Sequence, residues 1–231
     1  VGDKGFRGVI VQVFKQMSDV YADGERVYAQ AGALLSKTAA VACEASLTGM
    51  EFASGIPGTL GGALRMNAGA YGGEMKQIVE SAEVLTSEGE VLNLTNEELG
   101  MGYRTSVIAK NDYVALSAVL KLEKGDRQEI RAYMEDLKER RVTKQPLEFG
   151  SAGSTFKRPE GYFAGKLIQD SGMQGYRVGD AQVSEKHCGF VINRGNATAA
   201  EVMQLMKDVA DRVEEKFGVR LEPEVRRIGE F

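Results

Sequence analysis

Residues 53–74 read ASGIPGTLGGALRMNAGAYGGE. Glycine recurs too often, and apolar residues too irregularly, for a long helix or a strand. The stretch is therefore a loop, or a loop feeding a short helix. Gly55, Gly58, Gly61 and Gly62 offer closely spaced backbone amides with no Cβ in the way. Such a nest can hold a pyrophosphate or let a flat cofactor lie against the chain, and it can equally be a structural turn. It does not follow the G-x-G-x-x-G dinucleotide pattern. The flanking segments have to decide.

Upstream, Val9, Ile10, Val11, Val13 and Phe14 form a β-rich run. YADGERVYAQAG (residues 21–32) carries a hairpin signal at Asp23-Gly24. Leu34–Ala45 is alanine-rich with few breakers and reads as a helix. Downstream, SAEVLTSEGEVLNLT (81–95) alternates around Glu88-Gly89, a second hairpin signal, and DYVALSAVLKLE (112–123) is a further strand.

Near Gly125-Asp126 the pattern changes. Ile130, Tyr133, Met134 and Leu137 fall on one helical face. KERRVTKQP (138–146) ends that helix in cations, which suit a helix C-terminus, before Pro146. A domain boundary is expected between residues 124 and 125. Beyond it, AGKLIQDSG (164–172) is a short helix with a Ser-Gly stop, and QVSEKHCGFVINRG (182–195) is β-like. Thr198 and Glu201 form a capping box. Val202, Leu205, Met206, Val209, Val213 and Phe217 then make an amphipathic stripe. VRLEPEVRRIGEF (219–231) closes as a strand.

Composition narrows the function classes. The chain has 231 residues, 43% hydrophobic and 27% charged, with a formal net charge of −4. This is a globular profile without the basic excess of a nucleic-acid binder. No apolar run approaches the ~20 residues of a membrane span, and no signal peptide opens the chain. Cys43, Cys188 and a single histidine, His187, cannot build a zinc site. The cysteines read as reduced, buried thiols in a cytosolic protein. The chain opens at Val1, and GFRGVIVQVF (5–14) looks like the interior of a fold, so a processed or truncated start is expected.

SAGSTFKRP (151–159) places Ser154 beside glycine and two cations. The context A-G-S-T-F is not the G-x-S-x-G elbow, and a histidine triad would have to use His187, so a serine hydrolase is disfavoured. GYFAGKL (161–167) is a near miss for a P-loop: three residues separate its glycines, and Leu167 stands where Ser or Thr should bind magnesium.

Taken in order, the glycine loop, GYRTS (102–106), QPLEFGSAGSTFKRP (145–159), AGKLIQDSGMQG (164–175), VSEKHCGFVIN (183–193), NATAAEV (196–202) and EPEVRRIGE (222–230) resemble the signatures of the UDP-N-acetylenolpyruvoylglucosamine reductases. The likeness covers nearly the whole chain, and its compact spacing resembles the shorter type II branch. It implies an α+β protein. Residues 1–124 would be the second lobe of a two-lobed, vanillyl-alcohol-oxidase-like FAD-binding domain. Residues 125–231 would be a smaller α+β substrate-binding domain.

The family reduces the enolpyruvyl ether of UDP-N-acetylglucosamine to UDP-N-acetylmuramate in the cytoplasm, for peptidoglycan synthesis. FAD is its cofactor and NADPH its reductant. By this resemblance Ser154 is the proton donor, Glu224 assists at the same carbon, and Arg104 holds the substrate carboxylate. Ser151 is the neighbouring alternative to Ser154. Glu222 is the alternative to Glu224, and on one strand the two carboxylates would share a face. Gly55, Ile56, Pro57, Gly58, Gly61, Gly62, Asn67, Ala68 and Gly69 match the flavin-contacting loop. Tyr103, Lys157 and Arg158 match substrate-binding positions, although Tyr103 could also be a core aromatic. Arg158 departs from the asparagine of some relatives. His187 reads as structural rather than catalytic, and the role of Lys186 stays open. The family's first flavin lobe would precede GDKGFRGV (2–9), so the chain as it stands is expected to bind FAD weakly or not at all. An oxidase on the same fold and a non-catalytic nucleotide-sugar binding fragment are the alternatives. An oxidase needs no acid to protonate carbon, which favours the reductase.

Overall fold

The computed structural model describes all 231 residues and divides into two compact units, Val11–Arg141 and Val1–Ile10 with Val142–Phe231. The first unit opens with β1 (Val20–Asp23) and β2 (Arg26–Gln30), the hairpin expected at Asp23-Gly24. α1 (Leu35–Glu44) and β3 (Leu47–Thr48) come next. The glycine-rich stretch then forms α2 (Leu60–Met66) and a two-stranded turn of β4 (Gly69–Ala70) and β5 (Gly73–Glu74). β6 (Val79–Leu85) and β7 (Val91–Thr95) make the second expected hairpin. α3 (Val107–Lys110), β8 (Val114–Lys121), β9 (Glu123–Lys124) and α4 (Arg127–Lys144) complete the run.

Five strands in the order β1-β2-β8-β6-β7 form one antiparallel sheet. Alternation along β2 and β8 sends Val27, Ala29, Ala118 and Leu120 into the core, where Leu35, Leu60 and Leu64 from α1 and α2 meet them. Each fully buried aliphatic side chain contributes about 1.5–3 kcal/mol against leaving it in water.

The second unit is built on another antiparallel sheet, β10-β13-β12-β11, formed by β10 (Gly150–Ser154), β11 (Arg177–Val178), β12 (Ala181–Val183) and β13 (Phe190–Asn193). α5 (Ala164–Asp170) precedes β11, and α6 (Ala199–Phe217) comes after β13. α6 has the expected capping box: Thr198 Oγ1 accepts from the Glu201 amide, and the Glu201 carboxylate accepts from the Thr198 amide. Its stripe buries Leu205, Met206, Val209 and Val213, whereas Phe217 is 37% exposed at the end of the last turn. The two ends of the chain pair with each other. The Gly2 amide donates to the Ile228 carbonyl at 2.9 Å, and the Glu230 amide donates to the Gly5 carbonyl at 2.9 Å.

Several expectations need correction. Val9, Ile10 and Val11 are exposed and belong to no strand. No neighbouring chain offers their backbone a ladder, and β propensity alone does not hold a lone strand. Residues 182–195, read as β-like, carry most of β12 and all of β13, joined by a turn. Residues 219–231 form no regular strand either. There, only Phe156 and Pro223 pair as a bridge, flanked by hydrogen bonds from the Lys157 amide to the Glu222 carbonyl and from the Glu224 amide to the Thr155 carbonyl. The chain passes between its compact units after Arg141. α4 buries Ile130 and Leu137 and packs Met134 on the core of the first unit.

Candidate active site

The glycine loop of the first unit is pinned by its backbone. The Leu35 amide donates to the Gly58 carbonyl at 3.1 Å, and the Leu60 and Gly61 amides donate to the Ala33 and Ala31 carbonyls at 2.8 Å. Gly58 sits at φ +156°, and a Cβ there would point into open space. The backbone conformation therefore requires glycine, and the surface above it is clear. Gly55, Pro57, Gly58 and Gly62 are exposed. Ile56 packs against the core, and Asn67 and Ala68 are buried. The accessible part of the loop is thus backbone and Pro57.

Asn67 closes α2 in the left-handed region at φ 46°. Its amide is fully engaged. Nδ2 donates to Glu74 Oε2 at 3.1 Å and to the Gly102 carbonyl at 3.2 Å, and Oδ1 accepts from the Lys76 amide at 2.9 Å. This ties the glycine loop to a tight turn in which Gly102 and Thr105 exchange backbone hydrogen bonds of 3.0 and 3.2 Å. Tyr103 and Arg104 occupy the tip. Arg104 is left-handed at φ 55°, a strained setting for a non-glycine residue of the kind that clusters at functional sites. Its guanidinium lies 5.2 Å from the centre of the Tyr103 ring. Tyr103 is 55% exposed, so it is not a core aromatic.

One residue at this loop was not anticipated. Arg141, near the end of α4, places its guanidinium 5.6 Å from the centre of the Tyr71 ring and against Gly55. Sequence reading grouped it with the cations that end a helix. Its neighbour Arg140 does behave so, pairing with Asp136 on the surface at 2.8 Å.

In the second unit Ser154 ends β10 on the exposed side. The register between β10 and β13 slips between Ser151 and Ser154, where Gly153 adopts φ +83°. Such a bulge re-aims the neighbouring side chains on its strand. Ser154 Oγ is lightly held, donating to the Phe156 carbonyl at 3.4 Å. Ser151 Oγ instead accepts from the Gly153 amide at 3.4 Å, inside the bulge. Thr155 and Phe156, both buried, anchor the chain immediately after Ser154. Thr155 Oγ1 accepts from the Val191 amide at 3.0 Å. Because the Glu224 amide donates to the Thr155 carbonyl at 2.9 Å, Glu224 lies one step across the bridge from Ser154. Glu222 is exposed and ion-paired with Lys157 at 3.0 Å, whereas Glu224 is half-buried. Strand parity does not separate these carboxylates; they differ in exposure. The Arg158 guanidinium stacks 3.9 Å from the centre of the Phe163 ring, and Nε donates to the Tyr162 carbonyl at 3.2 Å.

Lys186 and His187 have structural occupations. Lys186 Nζ donates to the Val142 carbonyl at 2.9 Å, capping the end of α4. His187 Nδ1 accepts from the Gly189 amide at 3.1 Å, and its ring packs edge-on to Phe190 at 5.0 Å. Burial holds the imidazole pKa below its ordinary value, which favours the neutral acceptor form. Cys43 and Cys188 are buried free thiols, and burial raises the pKa of Cys188. No helix is long and apolar enough to cross a membrane.

Residues 1–95 match the family profile described as an FAD binding domain, which makes the class a flavoprotein. Residues 145–228 match the UDP-N-acetylenolpyruvoylglucosamine reductase C-terminal domain. The chain is 54% identical over 243 residues to the UDP-N-acetylenolpyruvoylglucosamine reductase of Agathobacter rectalis, spanning 100% of this chain and 77% of that protein. It is 59% identical over 230 residues to the reductase of Alkaliphilus oremlandii, spanning 100% of this chain and 76% of that protein. The crystal structure of UDP-N-acetylenolpyruvylglucosamine reductase from Thermus caldophilus superposes with a TM-score of 0.76 at 38% identity, covering 87% of this chain and 72% of that one. The chain belongs to the UDP-N-acetylenolpyruvoylglucosamine reductase family.

Proposed function

We propose that the protein reduces the enolpyruvyl ether of UDP-N-acetylglucosamine to UDP-N-acetylmuramate, with Ser154 supplying the proton and Glu224 and Arg104 supporting it. The reaction is an FAD-dependent oxidoreduction with NADPH as reductant, a step of peptidoglycan synthesis that we place in the cytoplasm. The glycine loop suits a flavin: Gly58 leaves open space where a Cβ would stand, a Cβ at Gly62 would meet only Thr59 Oγ1 at 3.9 Å, and Gly55, Pro57 and Gly58 are exposed beside it. Bound FAD, reduced by NADPH, supplies the hydride that adds to C3 of the enolpyruvyl group.

The residues of the chain manage the charge and the proton. As hydride adds at C3, negative charge appears at C2 and spreads into the substrate carboxylate. Arg104 opposes that charge with a cation that stays protonated throughout. Ser154 gives its hydroxyl proton to C2, which completes the addition of a hydride and a proton across the double bond. An ordinary serine is a poor acid, but a carbanion-like centre shielded from water is a strong enough base to take its proton. Glu224 holds and recharges that hydroxyl. Lys157 and Arg158 supply positive charge for the diphosphate.

The observation that carries this reading is the bridge between residues 155–157 and 222–224. It pairs Glu224 with Thr155, the residue next to Ser154, while Glu222 is ion-paired with Lys157. The test is Ser154→Ala in the full-length protein. Flavin reduction by NADPH should proceed at its normal rate, and flavin reoxidation by the enolpyruvyl substrate should slow by orders of magnitude. Unchanged reoxidation would remove Ser154 from the role.

A further inference from the structure

The guanidinium of Arg141 is the most exacting group in the first unit. Its Nε and Nη1 are buried and make no hydrogen bond. A guanidinium is all donor and no acceptor, and buried donors without partners are rare because each costs its full desolvation. Arg141 as a whole is half-buried, but these two nitrogens are shielded from water. Tyr71, itself left-handed at φ 53°, lies 5.6 Å below the guanidinium carbon. On another side is Gly55, where a Cβ would stand 2.6 Å from Nη1 and 3.3 Å from Cζ. Gly55 does not have a positive φ, so its backbone conformation does not demand glycine. The space does: the missing Cβ is where the arginine fits.

Gly55 and Tyr71 both belong to the glycine-rich stretch, and Gly55 adjoins the exposed backbone at Pro57 and Gly58. A buried cation with unmet donors, set against the accessible face of that loop, is a receptor for an acceptor oxygen brought by a ligand. We propose that Arg141 is a cofactor-binding residue, with Nε and Nη1 donating to an oxygen of bound FAD, and that Gly55 is kept small to seat it. The inference rests on the reading of residues 55–62 as the flavin loop. The same chemistry could be met by an anionic oxygen of the nucleotide-sugar, so the experiment separates the two.

The variants are Arg141→Met, which keeps the stem against Tyr71 without the donors, and Gly55→Ala, which displaces the guanidinium while leaving it in the chain. Three quantities are read: the FAD dissociation constant by fluorescence titration, the dissociation constant for UDP-N-acetylglucosamine, and the thermal midpoint without ligand. Arg141→Met should weaken FAD about tenfold or more, the scale of a charge-assisted hydrogen bond. It should leave UDP-N-acetylglucosamine binding unchanged, and the ligand-free midpoint should hold or rise, because a buried unmet cation is gone. Gly55→Ala should weaken FAD severalfold with an unchanged far-ultraviolet spectrum. Unchanged FAD affinity in both variants would overturn the assignment while leaving the flavin loop standing. A fall in the ligand-free midpoint of Arg141→Met would make the arginine a structural residue and overturn it too. A loss confined to UDP-N-acetylglucosamine would hand the arginine to the substrate. The titrations use the full-length protein, and absence of FAD binding by it would overturn both this assignment and the flavin reading of the loop.

Discussion

Replacing Asn67 should cost far more than a loop position ordinarily does. Its side chain makes three hydrogen bonds, at 3.1, 3.2 and 2.9 Å, and the residue is 2% exposed. At about 1 kcal/mol net for each bond, Asn67→Ala forfeits about 3 kcal/mol. Alanine must also adopt the left-handed backbone at φ 46°, adding roughly 1 kcal/mol. The expected loss is about 4 kcal/mol. Asn67→Gly loses the same bonds without the backbone penalty, so it should cost roughly 1 kcal/mol less than alanine. Urea denaturation followed by circular dichroism gives both values, provided the slope of free energy against urea stays constant. Releasing the Gly102 carbonyl also frees the turn that carries Tyr103 and Arg104, so KM for the enolpyruvyl substrate should rise in both variants. If alanine costs under about 1 kcal/mol, or glycine costs more than alanine, then Asn67 does not hold the loop and the turn together as described.

Thr155→Val keeps the shape of a buried side chain but strands the Val191 amide, which now donates to Thr155 Oγ1 at 3.0 Å. It should destabilise the protein by about 1–3 kcal/mol in urea, and Thr155→Ser should recover most of the loss. His187 gives a pH signature. Its folded pKa lies below the ordinary 6.5, so as pH falls from about 6.5 the unfolded chain takes up the proton first and stability drops. His187→Gln should flatten that part of the pH profile of the denaturation midpoint; an unchanged profile would show that another group causes it.

Much of the fold could be read from local rules because those rules act locally. The Asp23-Gly24 hairpin, the Thr198–Glu201 capping box and the stripe of α6 each need only neighbouring residues to specify them. The reading failed where a partner decides the outcome. Val9–Val11 have the composition of a strand but nothing to pair with. Residues 222–224 pair with 155–157 only through a bridge. The candidate site was legible through ordered motifs, since isolated serine, arginine and glutamate residues carry no signal of their own. Asn67 was assigned to the cofactor, yet its side chain serves the loop. Arg141 was missed because Arg140 and Arg141 look alike in sequence, and only the missing Cβ of Gly55, eighty-six positions earlier, distinguishes the one that turns inward.

The pairing of the first few residues with Ile228–Glu230 bears on how the protein is made. During synthesis residues 2–5 emerge more than two hundred residues ahead of their partners at 228–230. At roughly 5–20 residues per second they wait roughly ten to forty-five seconds, while the whole of Val11–Arg141 is produced in between. That stretch has a complete sheet and core of its own and can fold in the interval. Once compact, it draws the two distant ends together and shortens the flexible span that remains to be closed. Order of synthesis thus lets the first unit lead, and the second closes only once residues 228–230 have emerged.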